Sequence, residues 1–215
     1  MKRLWLIAVA LAAGTAFAQQ QKPGKYYIGL DVGQSRIEAG QGFLVPVEEI
    51  QHGNDVGFKA SFGIQISRYF AVEAGYTEYG NFKAENVAYT CPTGYSPPCA
   101  YDVSAGVHGP FTNVVGLVVF SDHWSLSGRA GLQYALSSLS ARDPDVPSSE
   151  ISSDEDSFGF LYGVGLNYQV NPRLRVRLNW EENDQLSAGL DLGGGVGFYE
   201  LGSSRLTSLG FDYRF

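Results

Sequence analysis

The sequence predicts an all-β fold, an eight-stranded antiparallel up-and-down transmembrane β-barrel, from three observations. Apolar residues alternate with small or polar residues in eight separate segments, which is the period of a strand with one apolar face. Short and long connections follow each other between these segments. The 215 residues include 13 Tyr, 13 Phe, 3 Trp and 27 Gly, a composition that suits strands, membrane interfaces and crowded barrel interiors.

The amino terminus has the pattern of a secretory signal peptide. Lys2 and Arg3 precede an apolar run, and Ala16-Phe17-Ala18 fits a small-x-small cleavage site. The run is shorter than the roughly 20 residues that a spanning helix needs. We therefore expect residues 1–18 to be cleaved and residues 19–215 to form one outer-membrane barrel domain. The formal charge would then change from −7 to −9, which disfavours nucleic acid as a partner.

The first four segments run over residues 26–37, 56–67, 70–82 and 111–120. Each has about the length that a tilted strand needs to cross the hydrocarbon layer. The apolar faces include Ile28 and Leu30 in the first segment, Phe62 and Ile64 in the second, and Val72 and Tyr76 in the third. The fourth segment is apolar on both faces, so its facing stays open.

The next four segments run over residues 124–136, 158–168, 173–181 and 205–215. Their apolar faces include Leu126 and Leu132, then Phe160 and Val164, then Val176 and Leu178. In the last segment the apolar face is Leu209, Phe211, Tyr213 and Phe215, opposite Asp212 and Arg214. This segment resembles the terminal strand of bacterial outer-membrane barrels, and the resemblance implies that those four residues form the signal for the barrel-assembly machinery.

The connections sort into two kinds. Tight polar turns are predicted at Arg68-Tyr69, Asp122-His123 and Asn171-Pro172, and long loops over residues 38–55, 83–110, 139–157 and 185–204. This strict alternation is expected if the short turns face the periplasm and the long loops face outside.

Charged residues on the inward faces mix both signs and should form ion pairs, because an unpaired buried charge is costly. The candidates for lumen ion pairs are Asp31, Lys59, Glu73, Arg129, Arg177 and Asp212. Three further charges at strand ends, Arg173, Glu181 and Arg214, are expected at the mouths of the lumen.

The whole mature chain resembles the eight-stranded transmembrane domain of the OmpA family, best in residues 62–80, 125–134 and 163–180. The resemblance implies that Glu73 pairs with Arg177 inside the barrel. The inward Glu of strand six in that family is Asn167 here, and the Lys of strand four has no counterpart in residues 112–120. The family's alternative, gating ion pair is therefore not implied.

Cys91 and Cys99 bracket a turn-rich loop, which in an exported protein predicts a local disulfide. No metal site is predicted at these cysteines, because no further ligands lie near them in the sequence. The acidic third loop holds Asp143, Asp145, Glu150, Asp154, Glu155 and Asp156. We interpret it as a solvated loop, with weak divalent-cation binding as the alternative.

No catalytic residue and no cofactor are predicted. A nucleophilic hydrolase needs a His beside a Ser, whereas His52 and His108 fall in long loops and His123 in a turn. The glycine-rich residues 193–197 lack the Lys of a phosphate-binding loop and are predicted to be a loop tip.

The expected function is structural: the barrel maintains the outer membrane of a Gram-negative bacterium and displays its loops to a surface ligand. Outer-membrane lipid and lipopolysaccharide are the expected surroundings. The alternatives are a narrow gated channel for ions or small solutes and a barrel enzyme that modifies lipid A, built on His108 and a loop Ser.

Overall fold

The computed structural model describes residues 25–39, 53–88, 100–142, 151–184, 189–191 and 198–215. The strands are β1 (Lys25–Ala39), β2 (Gly53–Gln65), β3 (Phe70–Ala88), β4 (Ala100–Val119), β5 (Trp124–Arg142), β6 (Ile151–Gln169), β7 (Leu174–Asp184), β8 (Gly189–Asp191) and β9 (Phe198–Arg214). Within these ranges there is no helix that is long and apolar enough to cross a membrane. The predicted signal peptide and the two cysteines of the predicted disulfide, Cys91 and Cys99, lie outside the described residues.

The strands form a closed antiparallel barrel. Each strand from β1 to β6 pairs with the next one, β7 pairs with β9, and β9 pairs with β1. At this closing seam Leu30 lies opposite Phe211. The short strand β8 only adds to the start of β9, at residues 198–200. Eight strands therefore enclose the lumen in up-and-down order, which confirms the predicted fold.

The two faces of the barrel have the polarity that the alternation predicts. On β1, Leu30 is 46% exposed on the outside, whereas Asp31 is 4% exposed on the inside. The same contrast recurs around the barrel: the exposed large apolar side chains lie outside, and the buried charged side chains lie inside. This arrangement fits lipid outside and a polar lumen inside, with all strand edges paired.

Aromatic pairs lie at both edges of the outer apolar band. Trp124 and Tyr168 lie beside the short turns, with ring centroids 4.8 Å apart. Tyr134 and Phe158 lie nearer the opposite end, with centroids 4.9 Å apart. Along β5 these pairs are separated by about 34 Å of strand, which a tilt of about 40° reduces to a height of about 26 Å. This height matches the apolar band of about 25 Å that outer-membrane barrels show.

The fourth predicted segment, now part of β4, has a defined facing. Phe111, Val115 and Leu117 are buried inside, whereas Val114 and Val118 are 53% and 50% exposed outside. The sequence left this facing open because both faces are apolar. Val115 and Leu117 are accommodated because they pack with Tyr27 and Ala71 in an apolar cluster at one end of the lumen, whereas the Phe111 ring lies 4.2 Å from Lys59 Nζ.

Side-chain caps fix the short turns at the predicted positions. The Ser67 hydroxyl accepts hydrogen bonds from the backbone N–H groups of Tyr69 and Phe70, at 3.2 and 3.1 Å. The Asn171 side-chain oxygen likewise accepts from Arg173 and Leu174, each at 2.9 Å. We call this end of the barrel periplasmic, because short turns face the periplasm in barrels of this class.

The predicted long loops are wrong in their bounds, because strands reach into all four of them. The loop predicted over residues 185–204 contains β8 and the start of β9, and β1 and β2 extend slightly into the loop predicted over residues 38–55. Strands β3 and β4 continue to Ala88 and from Ala100, and β5 and β6 continue to Arg142 and from Ile151. The acidic residues Asp154, Glu155 and Asp156 therefore lie in a strand and not in a loop. Cross-strand hydrogen bonds satisfy the backbone on either side of the membrane boundary, so pairing continues after the outward residues become polar.

Candidate functional site

Strand alternation brings all six predicted lumen charges into the barrel interior. Asp31, Lys59, Glu73, Arg129, Arg177 and Asp212 are each at most 5% exposed. They come from β1, β2, β3, β5, β7 and β9, so the group spans the lumen from wall to wall. Arg175 and Glu181 on β7 join the same network.

Arg177 is the centre of one half of this network. Its Nη1 atom lies 2.7 Å from Asp212 Oδ1 and 3.3 Å from Glu73 Oε1. Its Nε donates to Asp31 Oδ1 at 2.8 Å, and its Nη2 pairs with the second oxygen of the same carboxylate. One guanidinium therefore contacts three carboxylates from three other strands. The Glu73–Arg177 contact is the pair that the OmpA resemblance implies.

Arg129 connects this half to a second pair. Lys59 Nζ lies 2.5 Å from Glu181 Oε2. Arg129 lies 3.5 Å from Glu181 Oε1 through Nη1 and 3.5 Å from Glu73 Oε2 through Nε. The expectation that Glu181 lies at a mouth is wrong: it is 2% exposed within the network. Since β7 continues to Asp184, Glu181 is not at the end of the strand.

Neutral groups complete the network. Asn179 accepts from Arg129 Nη1 at 2.5 Å and donates to Asp31 Oδ1 at 2.9 Å. Ser61 accepts from Arg177 at 3.2 Å. Gly29 leaves the space for this contact, because a Cβ there would lie 2.5 Å from both Arg177 Nη2 and Ser61 Oγ.

An apolar floor lies at the periplasmic end of the network. Tyr27, Ala71, Val115 and Leu117 form a buried cluster there. The Tyr27 hydroxyl donates to Glu73 Oε1 at 2.8 Å, and the Arg175 guanidinium lies 5.3 Å from the Tyr27 ring centroid. Tyr27 therefore joins the floor to the ion pairs. Its position was available from the sequence, as an aromatic residue on the inward face of the first segment.

Uncharged polar side chains and apolar ones, among them Val107, Leu161 and Leu206, together fill the extracellular part of the lumen. Tyr79 is 1% exposed and donates through its hydroxyl to Gln133 Oε1 at 2.9 Å. Thr77, Asn183 and Ser204 are equally buried. The sequence analysis named only charged side chains as lumen candidates, so it missed Tyr79, which shares the inward face of β3 with Glu73 and Thr77.

Other predicted residues lie away from this network. Arg173 is exposed in the turn between β6 and β7. His123 stacks on Tyr168 with ring centroids 5.8 Å apart, and the ring centroids of His108 and Tyr76 are 6.0 Å apart.

His52 lies outside the described residues, as do Asp143, Asp145 and Glu150. In the described part of the chain, no group of three or more His, Cys, Asp or Glu residues is arranged to hold a metal ion.

Three of the four residues of the predicted assembly signal lie on the lipid-facing side of β9, and Phe215 directly follows that strand. Leu209, Phe211 and Tyr213 are 58%, 46% and 47% exposed, and Phe215 is 62% exposed. Phe215 also stacks on Tyr26, with ring centroids 6.3 Å apart across the seam.

Comparisons with known proteins agree with this architecture. Residues 5–215 match the model of the outer membrane protein beta-barrel domain family. No curated protein matches the sequence. The solved structures that resemble the chain include the outer membrane protein OprG from Pseudomonas aeruginosa, with 12% identity over 92% of this chain and 99% of that one, and a TM-score of 0.55.

Two further structures are similar. Neisserial surface protein A shows 13% identity over 88% of this chain and 97% of that one, with a TM-score of 0.53. The other is Ail, the attachment invasion locus protein of Yersinia pestis, whose structure was solved in complex with the heparin analogue sucrose octasulfate. Ail shows 15% identity over 90% of this chain and 100% of that one, with a TM-score of 0.51. At these identities the likeness establishes a shared fold.

Proposed function

Since the chain belongs to the outer membrane protein beta-barrel domain family, we propose that it is a structural barrel whose lumen is closed and whose extracellular hairpins present a surface for interaction. Membership of the family places the chain in the outer membrane. Lipid, lipopolysaccharide and the barrel-assembly machinery are its proposed partners there.

The ion-pair network across the lumen carries this proposal. An open channel needs a continuous water path, whereas here Asp31, Glu73, Arg129 and Arg177 contact each other directly. A small solute would have to break several buried, charge-assisted contacts at once, and these are among the stronger polar interactions in proteins. The apolar floor around Tyr27 adds a second obstruction at the periplasmic end.

The extended hairpins support the second half of the proposal. Strands β3 to β6 continue beyond the aromatic belt and carry polar outward residues, such as the exposed Ser138, Asp154 and Asp156. The Ser104 and Ser140 hydroxyls are hydrogen-bonded at 2.7 Å, which ties β4 to β5 in this region. A paired, water-exposed sheet is a more rigid platform for surface contacts than an unpaired loop.

Planar-bilayer recording tests the closed lumen. We expect no single-channel steps from the wild-type protein, and none from Glu73→Ala or Arg177→Ala, because the remaining ion pairs and the Tyr27 floor still fill the lumen. Both variants should instead lose stability. Glu182→Ala is the matched control, since Glu182 pairs with Arg205 at 3.1 Å away from the network.

Two outcomes would contradict the proposal. Stepwise conductance of the wild-type protein would show an open pore. Conductance that appears in Glu73→Ala or Arg177→Ala but not in Glu182→Ala would show that the ion-pair network acts as a gate, as the channel alternative requires.

A further inference from the structure

Buried charges in the lumen do not balance. In the described part of the chain the buried cations are Lys59, Arg129, Arg175, Arg177 and Arg214, and the buried carboxylates are Asp31, Glu73, Glu181 and Asp212. Each of the four carboxylates already forms an ion pair with one of the first four cations. One positive charge is therefore left without a partner of opposite sign.

The uncompensated charge lies on Arg214. This side chain is 5% exposed, and its Nε is buried without a hydrogen-bond partner. Among the described residues, none places a carboxylate within ion-pair distance of its guanidinium. A buried cation in this state is costly unless an anion neutralises it.

The surroundings of Arg214 form a cationic mouth at the periplasmic end. Arg214 lies opposite Tyr27 on β1, and its backbone N–H donates to the carbonyl of Arg173 at 2.7 Å. Arg175 lies opposite Asp212, so Arg175 and Arg214 are diagonal neighbours on the lumen face, within about 8 Å of each other. Asp212 is already shared by Arg175, at 2.6 Å, and Arg177, at 2.7 Å.

We propose that the periplasmic mouth of the lumen binds a small oxyanion, a phosphate group or a carboxylate, between Arg214 and Arg175. Two guanidinium groups suit such a ligand because each presents N–H donors in a planar fork that matches two oxygens of the anion. The Tyr27 floor limits how deeply the anion enters. Arg214 takes no part in the ion pairs that carry the proposed closure of the lumen, so the anion site can be tested separately from that closure. A free anion and a lipid head group supply the same chemistry.

Thermal unfolding in dodecyl maltoside tests the site, with inorganic phosphate titrated at constant ionic strength against chloride. A ligand that binds the folded protein raises the midpoint of unfolding, so the wild-type Tm should rise with phosphate. Arg214→Gln should lose this rise. Arg173→Gln should keep it, since Arg173 is an exposed arginine in the adjacent turn and its substitution removes the same charge.

A second readout separates an anion site from a purely structural arginine. In phosphate-free buffer Arg214→Gln should unfold at the same temperature as the wild type or at a higher one, because the substitution removes an uncompensated buried charge. A lower Tm there would overturn the proposal. So would a phosphate-dependent rise that is equal in the wild type and in Arg214→Gln, or one that is lost in Arg173→Gln.

Two further arms complete the experiment. If Arg214→Gln does not fold, phosphorus-31 NMR of inorganic phosphate provides a second measurement. The phosphate signal should broaden when the wild type or Arg173→Gln is added. An unchanged line width with these two proteins overturns the proposal. Phosphatidylglycerol is added in place of inorganic phosphate to distinguish the sources. An effect of inorganic phosphate alone identifies a free anion, an effect of the lipid alone identifies a head group, and an effect of neither overturns the site.

Discussion

Arg177 contacts three of the four buried carboxylates, so the loss of this one side chain leaves more charge uncompensated than the loss of any single acid. Asp31 would keep only the Asn179 amide among the contacts described above, whereas Glu73 would keep Arg129 and Tyr27. If Glu73 is changed instead, Arg177 keeps Asp31 and Asp212. The two members of one ion pair are therefore not equivalent.

This asymmetry gives a prediction for stability. Arg177→Met should lower the free energy of unfolding by about 3–5 kcal/mol, the usual cost of removing one partner from a buried ion pair. Glu73→Gln should cost less, about 1–3 kcal/mol. Urea unfolding of the protein in detergent micelles or lipid vesicles, followed by tryptophan fluorescence, measures both.

The control is Glu182→Gln, which breaks the partly exposed pair with Arg205 and should cost less than about 1 kcal/mol. A cost for Glu73→Gln equal to or above that of Arg177→Met would contradict the central position of Arg177.

At this scale the sequence predicted which side chains enter the lumen but not how most of them pair. Alternation fixes the face of a residue on its strand, so Lys59 and Asp212 could be assigned inward from the sequence. The contacts between opposite walls depend on the stagger of the strands around the barrel. No local pattern reports this stagger, which is why Lys59–Glu181 and Arg177–Asp31 were not predicted.

At the scale of strands, the sequence predicted the membrane-crossing parts better than the strand ends. The apolar–polar alternation disappears where both faces meet water, as at Ser138 and Asp154. Backbone pairing continues there, with Ser138 opposite Asp154 on neighbouring strands. Hydrophobic periodicity therefore marks the extent of the lipid contact and not the extent of the sheet.

An aromatic stack lies across the seam between β1 and β9. Tyr26 stacks on Phe62 of β2 at 5.8 Å and on Phe215 at 6.3 Å, so one ring links three strands. We expect Tyr26→Leu to lower the free energy of unfolding by about 1–3 kcal/mol, since each aromatic pair contributes about 0.5–1.5 kcal/mol.

Tyr213→Leu is the matched control for this experiment. Tyr213 lies at the same seam with a similar exposure of 47%, and the described residues give it no ring contact. The same urea titration should show a smaller loss for this variant. Equal losses would mean that the stack adds nothing beyond the contact of each ring with lipid.

At the scale of the whole molecule, the acidic chain encloses a lumen whose buried charges sum to a positive value. The formal charge of the chain is −7, while the part of the interior that the structure describes holds five cations and four carboxylates. Among the described residues, acidic side chains such as Asp154 and Asp156 are exposed outside the lumen, where water or counter-ions can solvate them. This separation of charge depends on an intact barrel wall.

Closure of the sheet predicts heat-modifiable migration on detergent gels. The unboiled protein should run at a different apparent mass from the boiled protein, because a sheet with every barrel strand paired on both sides resists dodecyl sulfate at room temperature. Protein kept in urea without detergent serves as the unfolded control and should run as the boiled sample does. Identical migration before and after boiling would contradict a closed barrel.

The pairing of β1 with β9 also constrains how the protein can reach its membrane. These two strands are the first and the last of the barrel, so their hydrogen bonds cannot form until the whole polypeptide has been delivered. Contacts between residues so distant in the chain are slow to form, and any partial sheet would expose unpaired edges to hydrocarbon in the meantime. Closure of the seam is therefore a late event, and any earlier intermediate needs its two unpaired edges covered while it lies in the membrane.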